Sequence, residues 1–281
     1  MEKGAFIARG VSSQVYEYGD GRVVKVLEPN VAARQTRTRD ELVRRESAIC
    51  RLAGTQGVRA PEVYTSTEID GRYGIVYERV DGPTMIEELL SGRQSASDHG
   101  RMLAELHRKV HRCPAAELET FRPFYEAMIR NNAALPEDLK AGAIELLLTL
   151  PDAGMLCHGD FHGGNVVLSS TGPVVIDWAC ARSGLPLLDF CRTTHIYRYA
   201  PPPPDLPAEV LETLDKVRES CCDSYREAYL SGARYDPHLL RACETVCTAT
   251  DARVADERQI REIIGFVRAG LSELCISVPA Q

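Results

Sequence analysis

The sequence predicts an α+β chain of two lobes, in which a small antiparallel sheet with one helix precedes a larger, mainly helical part. Short runs of β-branched and aromatic residues separated by turn formers fill residues 6–80. The tripeptide Asp81-Gly82-Pro83 then breaks the pattern. Beyond it, apolar residues recur at helical spacing, except within one hairpin. We therefore expect residues 1–81 to form the first lobe and residues 82–281 the second.

The composition is that of an ordinary globular protein. The chain has 281 residues, of which 44% are apolar and 26% are charged. Its formal net charge of −7 argues against nucleic-acid binding, because proteins of that class usually carry a basic face. We see neither a secretory signal nor an apolar run long enough to span a membrane. The ten cysteines include no CxxC pair, so we expect reduced thiols in a cytoplasmic protein.

The first three strands are predicted at residues 6–10, 15–18 and 22–27, with a turn at residues 11–14. Lys25 lies inside the third strand, where an ammonium group is costly unless it is paired. Gly10, Ser12 and Ser13 mark the turn. Backbone N–H groups of such a turn can cradle a phosphate, although many sequences allow this.

A helix is predicted over residues 39–54, because apolar residues recur there at helical spacing. Glu46 stands in its middle and could pair with Lys25, or could be an ordinary solvated side chain. A strand that starts at residues 60–64 and a strand over 73–80 complete the sheet, with Asp70-Gly71 as a hairpin turn.

Beyond the break, helices are predicted over residues 84–91, 97–112 and 210–230. Two more lie within residues 122–150, one begins at residue 187, and the last helices end at about residue 273. His107 and His111 are four residues apart on the second of these helices. No third ligand is evident near them, so packing or capping is the favoured interpretation over a metal pair. Asp189 lies in an apolar setting and should accept hydrogen bonds, with the backbone near residue 158 as a candidate donor.

Residues 158–177 carry the chemistry. Asp160 is followed five residues later by Asn165, and Asp177 follows a hairpin whose turn is at residues 169–173. The hairpin should bring all three side chains to one edge. An amide oxygen and a carboxylate suit Mg²⁺, and a carboxylate five residues before the Asn can accept the proton of an attacking hydroxyl. This spacing is typical of a phosphoryl-transfer site.

Two other interpretations of this stretch remain open on these residues alone. His158, Asp160 and His162 stand at alternate positions and, with Asp177, could ligate Zn²⁺ or Mn²⁺ in a hydrolase. The polar residues could also simply cap turns and end a strand.

Five polar residues and one break in the pattern occur in the order that one known family requires. They are Lys25, Glu46, the break at 81–82, Asp160, Asn165 and Asp177. In this order the chain resembles the aminoglycoside phosphotransferase and choline kinase-like family, small-molecule kinases related to protein kinases. The likeness covers nearly the whole chain and is most specific over residues 156–193. It implies a bilobal protein-kinase-like fold. It also implies transfer of the γ-phosphoryl group of Mg-ATP or Mg-GTP to a hydroxyl of a small molecule.

The resemblance implies a role for each residue of the motif. Asp160 would be the catalytic base, and Asn165 and Asp177 would bind Mg²⁺. His158 and Asp189 would support the catalytic loop. The nucleotide would be bound by residues of the first lobe: Gly10, Ser12, Ser13, Lys25, Glu46, Tyr77, Glu78 and Val80.

Within that nucleotide set, Lys25 would contact the α- and β-phosphates and Glu46 would hold it. The backbone of Glu78 and Val80 would meet the purine edge. Tyr77 takes a gatekeeper-like position, where a bulky side chain can block the adenine pocket and favour GTP.

The chain departs from the family pattern without losing a catalytic group. Gly163 stands where relatives often have Pro, Leu185 where many have Asp, and Ala179 where a protein kinase has Gly. A protein kinase is disfavoured because the chain is short and no Ala-Pro-Glu follows Asp177. A weak kinase homologue is the other alternative, although its usual mark is loss of groups that are intact here.

The family admits aminoglycoside-like molecules, amino alcohols and sugars as acceptors. Acidic residues near the C-terminus, Asp251, Asp256, Glu257 and Glu262, could bind a cationic acceptor or simply form a solvated helix face. We expect a small-molecule partner, no nucleic acid or membrane partner, and a monomer or weak dimer.

Overall fold

The computed structural model describes residues 3–10, 12–29, 37–200, 208–231, 234–250 and 257–276. The chain divides into two compact units, Met1–Met85 with Gly164–Ala179, and Ile86–Gly163 with Cys180–Gln281. The expected lobes, residues 1–81 and 82–281, are each continuous, whereas the first unit also includes Gly164–Ala179. The backbone N–H of Leu168 donates to the carbonyl of Pro83, and Thr84 pairs with Val167, so the hairpin groups with the first unit.

The first unit contains an antiparallel sheet of five strands in the order β1-β2-β3-β5-β4. The strands are β1 (Phe6–Arg9), β2 (Ser13–Glu17), β3 (Arg22–Leu27), β4 (Val63–Ile69) and β5 (Arg72–Glu78). Val24 and Val26 of β3 are fully buried in a cluster that includes Val76 of β5. Because side chains alternate along a strand, Lys25 points to the opposite face. The mixed fold with an antiparallel sheet is thus as predicted.

Strand β2 begins two residues earlier than the sequence suggests. Ser13 pairs with Leu27 and Gln14 with Val26, so the second half of the predicted turn belongs to the strand. Ser13 is buried at 4% exposure. The pairing partner, which local sequence does not reveal, sets this boundary.

Helix α1 (Arg39–Gly54) matches the predicted bounds. Thr38 caps its N-terminus by accepting from the backbone N–H of Glu41, whose side chain accepts from Thr38 in return. The buried side chains are Leu42, Glu46, Ile49, Cys50 and Ala53. This helical stripe carries one carboxylate, Glu46, into the interior of the first unit.

The first unit also holds the hairpin of β7 (Val166–Ser169) and β8 (Gly172–Val175), with Val166 opposite Val175. Gly82 has a φ of +143°, and a Cβ there would collide with the carbonyl of Leu168. The break in the sequence is therefore a close backbone approach that only glycine allows.

The second unit is mainly helical, as predicted. Its longer helices are α3 (Ala96–Val110), α4 (Arg122–Asn131), α5 (Glu137–Thr149), α6 (Pro186–Tyr199), α7 (Ala208–Leu230), α8 (Pro237–Thr250) and α9 (Glu257–Glu273). A short helix α2 (Met85–Leu90) precedes them. The described part of α7 packs most extensively against α3.

Two short strands of the second unit do not follow from the sequence. β6 (Met155–Cys157) pairs antiparallel with β9 (Arg182–Gly184). Each strand has only three residues, so its pairing depends on a partner far away in sequence.

Among the described residues, no helix combines the length and apolar character that crossing a bilayer requires. All ten cysteines are free thiols.

Candidate active site

Lys25 and Asp177 form an ion pair inside the first unit. Nζ of Lys25 lies 2.5 Å from Oδ1 of Asp177, and the two side chains are 13% and 32% exposed. Strand β3 supplies the lysine and the end of the β7–β8 hairpin supplies the aspartate. The pair satisfies an ammonium that would be costly alone inside the sheet.

Glu46 lies behind this pair and accepts a hydrogen bond from the hydroxyl of Tyr77. Burial raises the pKa of Glu46, while the charge of Lys25 and the Tyr77 hydrogen bond oppose that rise. Burial and the nearby Glu46 raise the pKa of Tyr77 well above its ordinary value. Tyr77, proposed above as a gatekeeper, is therefore also the hydrogen-bond donor that fixes Glu46.

Asn165 and Asp177 lie at the base of the hairpin. The backbone N–H of Ile176 donates to the carbonyl of Asn165 at 2.9 Å. Asn165 and Asp177 therefore flank the neighbouring ends of strands β7 and β8. Asp177 has a φ of +62°, a left-handed conformation that Asp tolerates better than most residues. An amide oxygen and a partly exposed carboxylate form a hard-oxygen donor set, so these residues fit Mg²⁺.

The remaining predicted nucleotide contacts lie on the same sheet. The N–H of Gly10 donates to the carbonyl of Ser13, and the carbonyl of Ser12 accepts from Glu28, so parts of this turn are already bonded. Glu78 ends β5, and Val80 follows two residues later. Their roles stay predictions.

Asp160 belongs to the second unit and is partly exposed. Nε2 of His162 lies 3.8 Å from Oδ2 of Asp160. Partial burial raises the pKa of Asp160, but His162, Arg192 and His158 together lower it to about 2. The carboxylate is therefore ionised at neutral pH and able to accept a hydroxyl proton.

Asp189, at the start of α6, binds the backbone just before Asp160. Its Oδ2 accepts from the N–H of His158 at 2.6 Å, and its Oδ1 accepts from the N–H of Gly159 at 2.9 Å. These are the backbone hydrogen bonds expected from the sequence. Gly159 has a φ of +79°, and a Cβ there would lie 2.8 Å from the carbonyl oxygen of Cys180. Asp189 and Gly159 together fix the loop that carries Asp160.

His107 and His111 also bind Asp189. Their Nε2 atoms lie 3.0 and 3.2 Å from Oδ2 of Asp189. Their Nδ1 atoms lie 2.7 and 2.6 Å from the hydroxyls of Tyr225 and Tyr229 on α7. A third potential ligand, Asp189, does accompany the two histidines, but it lies about eighty positions away in the sequence.

This buried cluster of His107, His111 and Asp189 brings three potential metal ligands within 4.8 Å of one another. Both ring nitrogens of each histidine have hydrogen-bond partners, so the protons balance without an ion. Burial and the neighbouring His111 lower the pKa of His107 to about 3. We interpret the cluster as support for the loop that carries Asp160.

Gly163 explains one departure from the family pattern. Its N–H donates to the hydroxyl of Tyr197 at 3.4 Å, and a Cβ on it would come within 2.8 Å of Nε2 of His99. The same His99 nitrogen lies 2.6 Å from the Tyr197 hydroxyl. Proline would lack the N–H and collide with the ring. The contact with His99 could not be foreseen from local sequence.

The hydrolase alternative loses its ligand set. His158 is fully buried and its Nδ1 accepts from the backbone N–H of Asp160. Among the described residues, three or more potential metal ligands come together at Asp189, with His107 and His111. That group includes none of His158, Asp160, His162 and Asp177.

Three solved structures illustrate the similarity of the fold. An aminoglycoside-3'-phosphotransferase of type VIII is 18% identical, with a TM-score of 0.55, over 89% of this chain and 95% of that one. Aminoglycoside phosphotransferase APH(3'')-Id from Streptomyces rimosus, in complex with ADP and streptomycin, is 17% identical, with a TM-score of 0.52, over 85% and 91%. The GDP complex of an aminoglycoside 2'-phosphotransferase-IIIa mutant is 14% identical, with a TM-score of 0.51, over 97% and 91%.

No curated protein matches the chain in sequence. The profile of the phosphotransferase enzyme family matches residues 3–241, which is most of the chain. The fold agrees with that match, since the similar structures are themselves phosphotransferases. The chain therefore belongs to the phosphotransferase enzyme family.

Proposed function

We propose that this phosphotransferase moves the γ-phosphoryl group of ATP or GTP to a hydroxyl of a small molecule. The observation that carries the proposal is the Lys25–Asp177 ion pair, with Glu46 and Tyr77 behind it. A largely buried ammonium paired with a carboxylate is suited to phosphate oxygens and their counter-ion. The related structures that contain ADP or GDP support a nucleotide donor.

The donor phosphates would be held from the first unit. Lys25 would exchange part of its interaction with Asp177 for the phosphate oxygens, and Glu46 would keep the ammonium in place. Gly10, Ser12 and Ser13 would lie along the phosphates, and the backbone of Glu78 and Val80 would bind the purine.

Asn165 and Asp177 would hold Mg²⁺ when it is bound, where it would neutralise charge on the phosphates. The left-handed backbone of Asp177 would orient its carboxylate for this role. The chain's own contribution is to fix both ligands through the bond between Ile176 and Asn165.

Asp160 would orient the acceptor hydroxyl. The acceptor oxygen bonds to the γ-phosphorus while the bond from that phosphorus to the β–γ bridging oxygen breaks. The hydroxyl proton passes to the carboxylate of Asp160 and then to solvent. A carboxylate with a pKa of about 2 is a weak base, which suits a loose transition state in which the proton leaves late.

The acceptor is proposed to be a small hydroxylated molecule, such as an aminoglycoside-like compound, an amino alcohol or a sugar. Glu257 and Glu262 give little support for a cationic acceptor. They form exposed pairs with Arg261 and Arg258, each at 3.6 Å across one helical turn. Asp251 and Asp256 lie outside the described residues. We further propose a cytoplasmic enzyme that is a monomer or a weak dimer.

The test is the Asp160→Asn variant. Loss of the base should lower kcat by about 10²- to 10⁴-fold, while nucleotide affinity in a calorimetric titration stays within about two-fold. The exposed Asp98→Asn variant is the matched control and should behave like the wild type. Near-normal turnover of Asp160→Asn, for any acceptor that the wild type phosphorylates, would contradict the assignment of the base.

A further inference from the structure

Helix α6 holds the backbone of the loop that carries Asp160. Oδ1 of Asp189 accepts from the N–H of Gly159 at 2.9 Å, and the hydroxyl of Thr193 donates to the carbonyl of Phe161 at 2.9 Å. Asp189 and Thr193 are buried and stand four residues apart, on one face of the helix. The main chain is therefore fixed on both sides of Asp160.

A further hydrogen bond continues this series one turn along α6. The hydroxyl of Tyr197 accepts from the N–H of Gly163 at 3.4 Å. Phe161 and Gly163 are buried, whereas Asp160 and His162, which precede them, are partly exposed. Burial thus alternates along the loop, and the side chains open to solvent are those of Asp160 and His162.

These two side chains lie next to each other. Nε2 of His162 lies 3.8 Å from Oδ2 of Asp160, and the side chains are 33% and 40% exposed. With that exposure, both can be reached by water and by a substrate. A shift of about 1 Å brings the two atoms to hydrogen-bond distance. Hydrogen bonds of this kind at active sites often tighten only when the substrate is bound.

The ionised state of Asp160 depends most on the same neighbour. Burial raises the pKa of Asp160, and the interaction with His162 is the largest of the influences that lower it to about 2. His158 accepts from the backbone N–H of Asp160 at 3.3 Å, so that bond fixes the main chain and not the carboxylate.

We propose that His162 is a positioning residue for the base. Its Nε2–H donates to Oδ2 of Asp160 and fixes the plane of the carboxylate, so that Oδ1 faces the acceptor hydroxyl. Both the imidazolium and the neutral ring with its proton on Nε2 supply this donor. A carboxylate that is held at one oxygen loses less rotational freedom when the acceptor binds.

The role in the reaction follows from this orientation. As the acceptor oxygen bonds to the γ-phosphorus and the bond to the β–γ bridging oxygen breaks, the hydroxyl proton passes to Oδ1 of Asp160. His162 keeps Oδ2 occupied and gives up no proton. The inference rests on the proposed phosphoryl transfer and adds a residue that acts through its base.

The test measures nucleotide consumption with streptomycin, choline and glucose, and continues with the acceptor on which the wild type is fastest. His162→Ala should lower kcat by about ten-fold, the low end for a hydrogen bond to a charged group, because the pair is partly exposed. KM for nucleotide and acceptor should stay within about two-fold, since His162 acts on Asp160 and not on the substrates.

His162→Gln should recover most of kcat. Its amide nitrogen stands as many bonds from the backbone as Nε2 and can donate to Oδ2 of Asp160. His162→Ser replaces the alanine variant if that variant does not fold. His238→Ala, which changes an exposed histidine at the start of α8, is the matched control and should behave like the wild type.

A double-mutant cycle with Asp160→Asn separates action through Asp160 from an independent effect. In that background no base remains to be oriented, so His162→Ala should lower the residual kcat by less than about two-fold. A merely structural role of His162 would lower kcat equally in both backgrounds.

The proposal is overturned if His162→Ala leaves kcat unchanged, if glutamine recovers nothing, or if the losses from His162→Ala and Asp160→Asn multiply. A rise in KM for either substrate at unchanged kcat also overturns it, because His162 would then bind that substrate. In each of these cases the role of Asp160 stands. If Asp160→Asn keeps near-normal turnover, or the wild type consumes neither ATP nor GTP with any of the acceptors, the proposed function falls and this inference falls with it.

Discussion

The hydroxyl of Tyr77 donates a hydrogen bond to Oε2 of Glu46, and both side chains are buried in the first unit. Tyr77→Phe removes this donor and leaves a buried carboxylate with one partner fewer. We expect the free energy of unfolding to fall by about 1.5–3 kcal/mol, as for a lost hydrogen bond to a charged group. Urea unfolding followed by circular dichroism measures this loss.

Two variants of Tyr77 distinguish the effect of its size from the effect of its hydrogen bond on the choice between ATP and GTP. If the bulk of Tyr77 restricts adenine, Tyr77→Phe keeps the wild-type ratio of kcat/KM for GTP over ATP. Tyr77→Leu should then shift that ratio toward ATP by about ten-fold, the effect of a modest change in pocket size. An equal shift in the phenylalanine variant would mean that the hydroxyl, and not the bulk, sets the preference.

Gly163→Pro should destabilise the second unit because its ring meets His99 and its nitrogen cannot donate to Tyr197. We expect the free energy of unfolding to fall by about 1–3 kcal/mol, typical of overpacking. In a double-mutant cycle, His99→Ala should recover about 0.5–3 kcal/mol of this loss. Strictly additive losses in the cycle would show that the collision with His99 is not the cause.

The pKa of His107 predicts how stability depends on pH. Burial lowers that pKa from 6.5 to about 3, so between these values the unfolded chain binds one more proton than the folded one. Stability is therefore complete above pH 6.5 and decreases toward pH 3, by up to about 1.4 kcal/mol per pH unit from this group.

His107→Gln removes the titrating group, so its stability should vary less steeply with pH over the range 4.5–6.5, although it starts lower. The pKa of Asp189 is held well below 3.8 by His107 and His111 despite burial, so its own loss of stability begins only below that range. The free energy of unfolding is measured by urea titration at several pH values. Equal slopes of that free energy against pH for the variant and the wild type would mean that His107 is not the buried neutral group.

Asp177→Asn should lower kcat by about 100-fold and raise the Mg²⁺ concentration needed for half-maximal activity, because a neutral amide is a poorer ligand. Asparagine tolerates the left-handed backbone at this position, so the melting temperature should stay within a few degrees. Asp177→Ala should lower the melting temperature further, since alanine is strained there. An unchanged Mg²⁺ requirement in both variants would remove Asp177 from the metal site.

The parts of the fold that could be predicted are those with local signals. The helix at Arg39–Gly54 has a cap, a periodic apolar face and a following turn, and its bounds were predicted correctly. Strands β6 and β9 have three residues each and form only through each other, so no local pattern reveals them.

The candidate site divides in the same way. The motif at residues 158–177 and the lysine in β3 could be found from spacing and from an isolated charge in an apolar strand. The bonds from His107 and His111 to Asp189 could not, because 82 and 78 residues separate the partners.

The two backbone N–H groups that Asp189 binds have a consequence for local opening of the chain. Catalytic loops usually belong to the least stable part of a protein, yet these amides are tied to a buried carboxylate on α6. The amides of His158 and Gly159 should therefore exchange with solvent deuterium as slowly as those of the helical core. We therefore expect the loop that carries Asp160 to be released together with α6, so heat should abolish activity and the second unit's structure together.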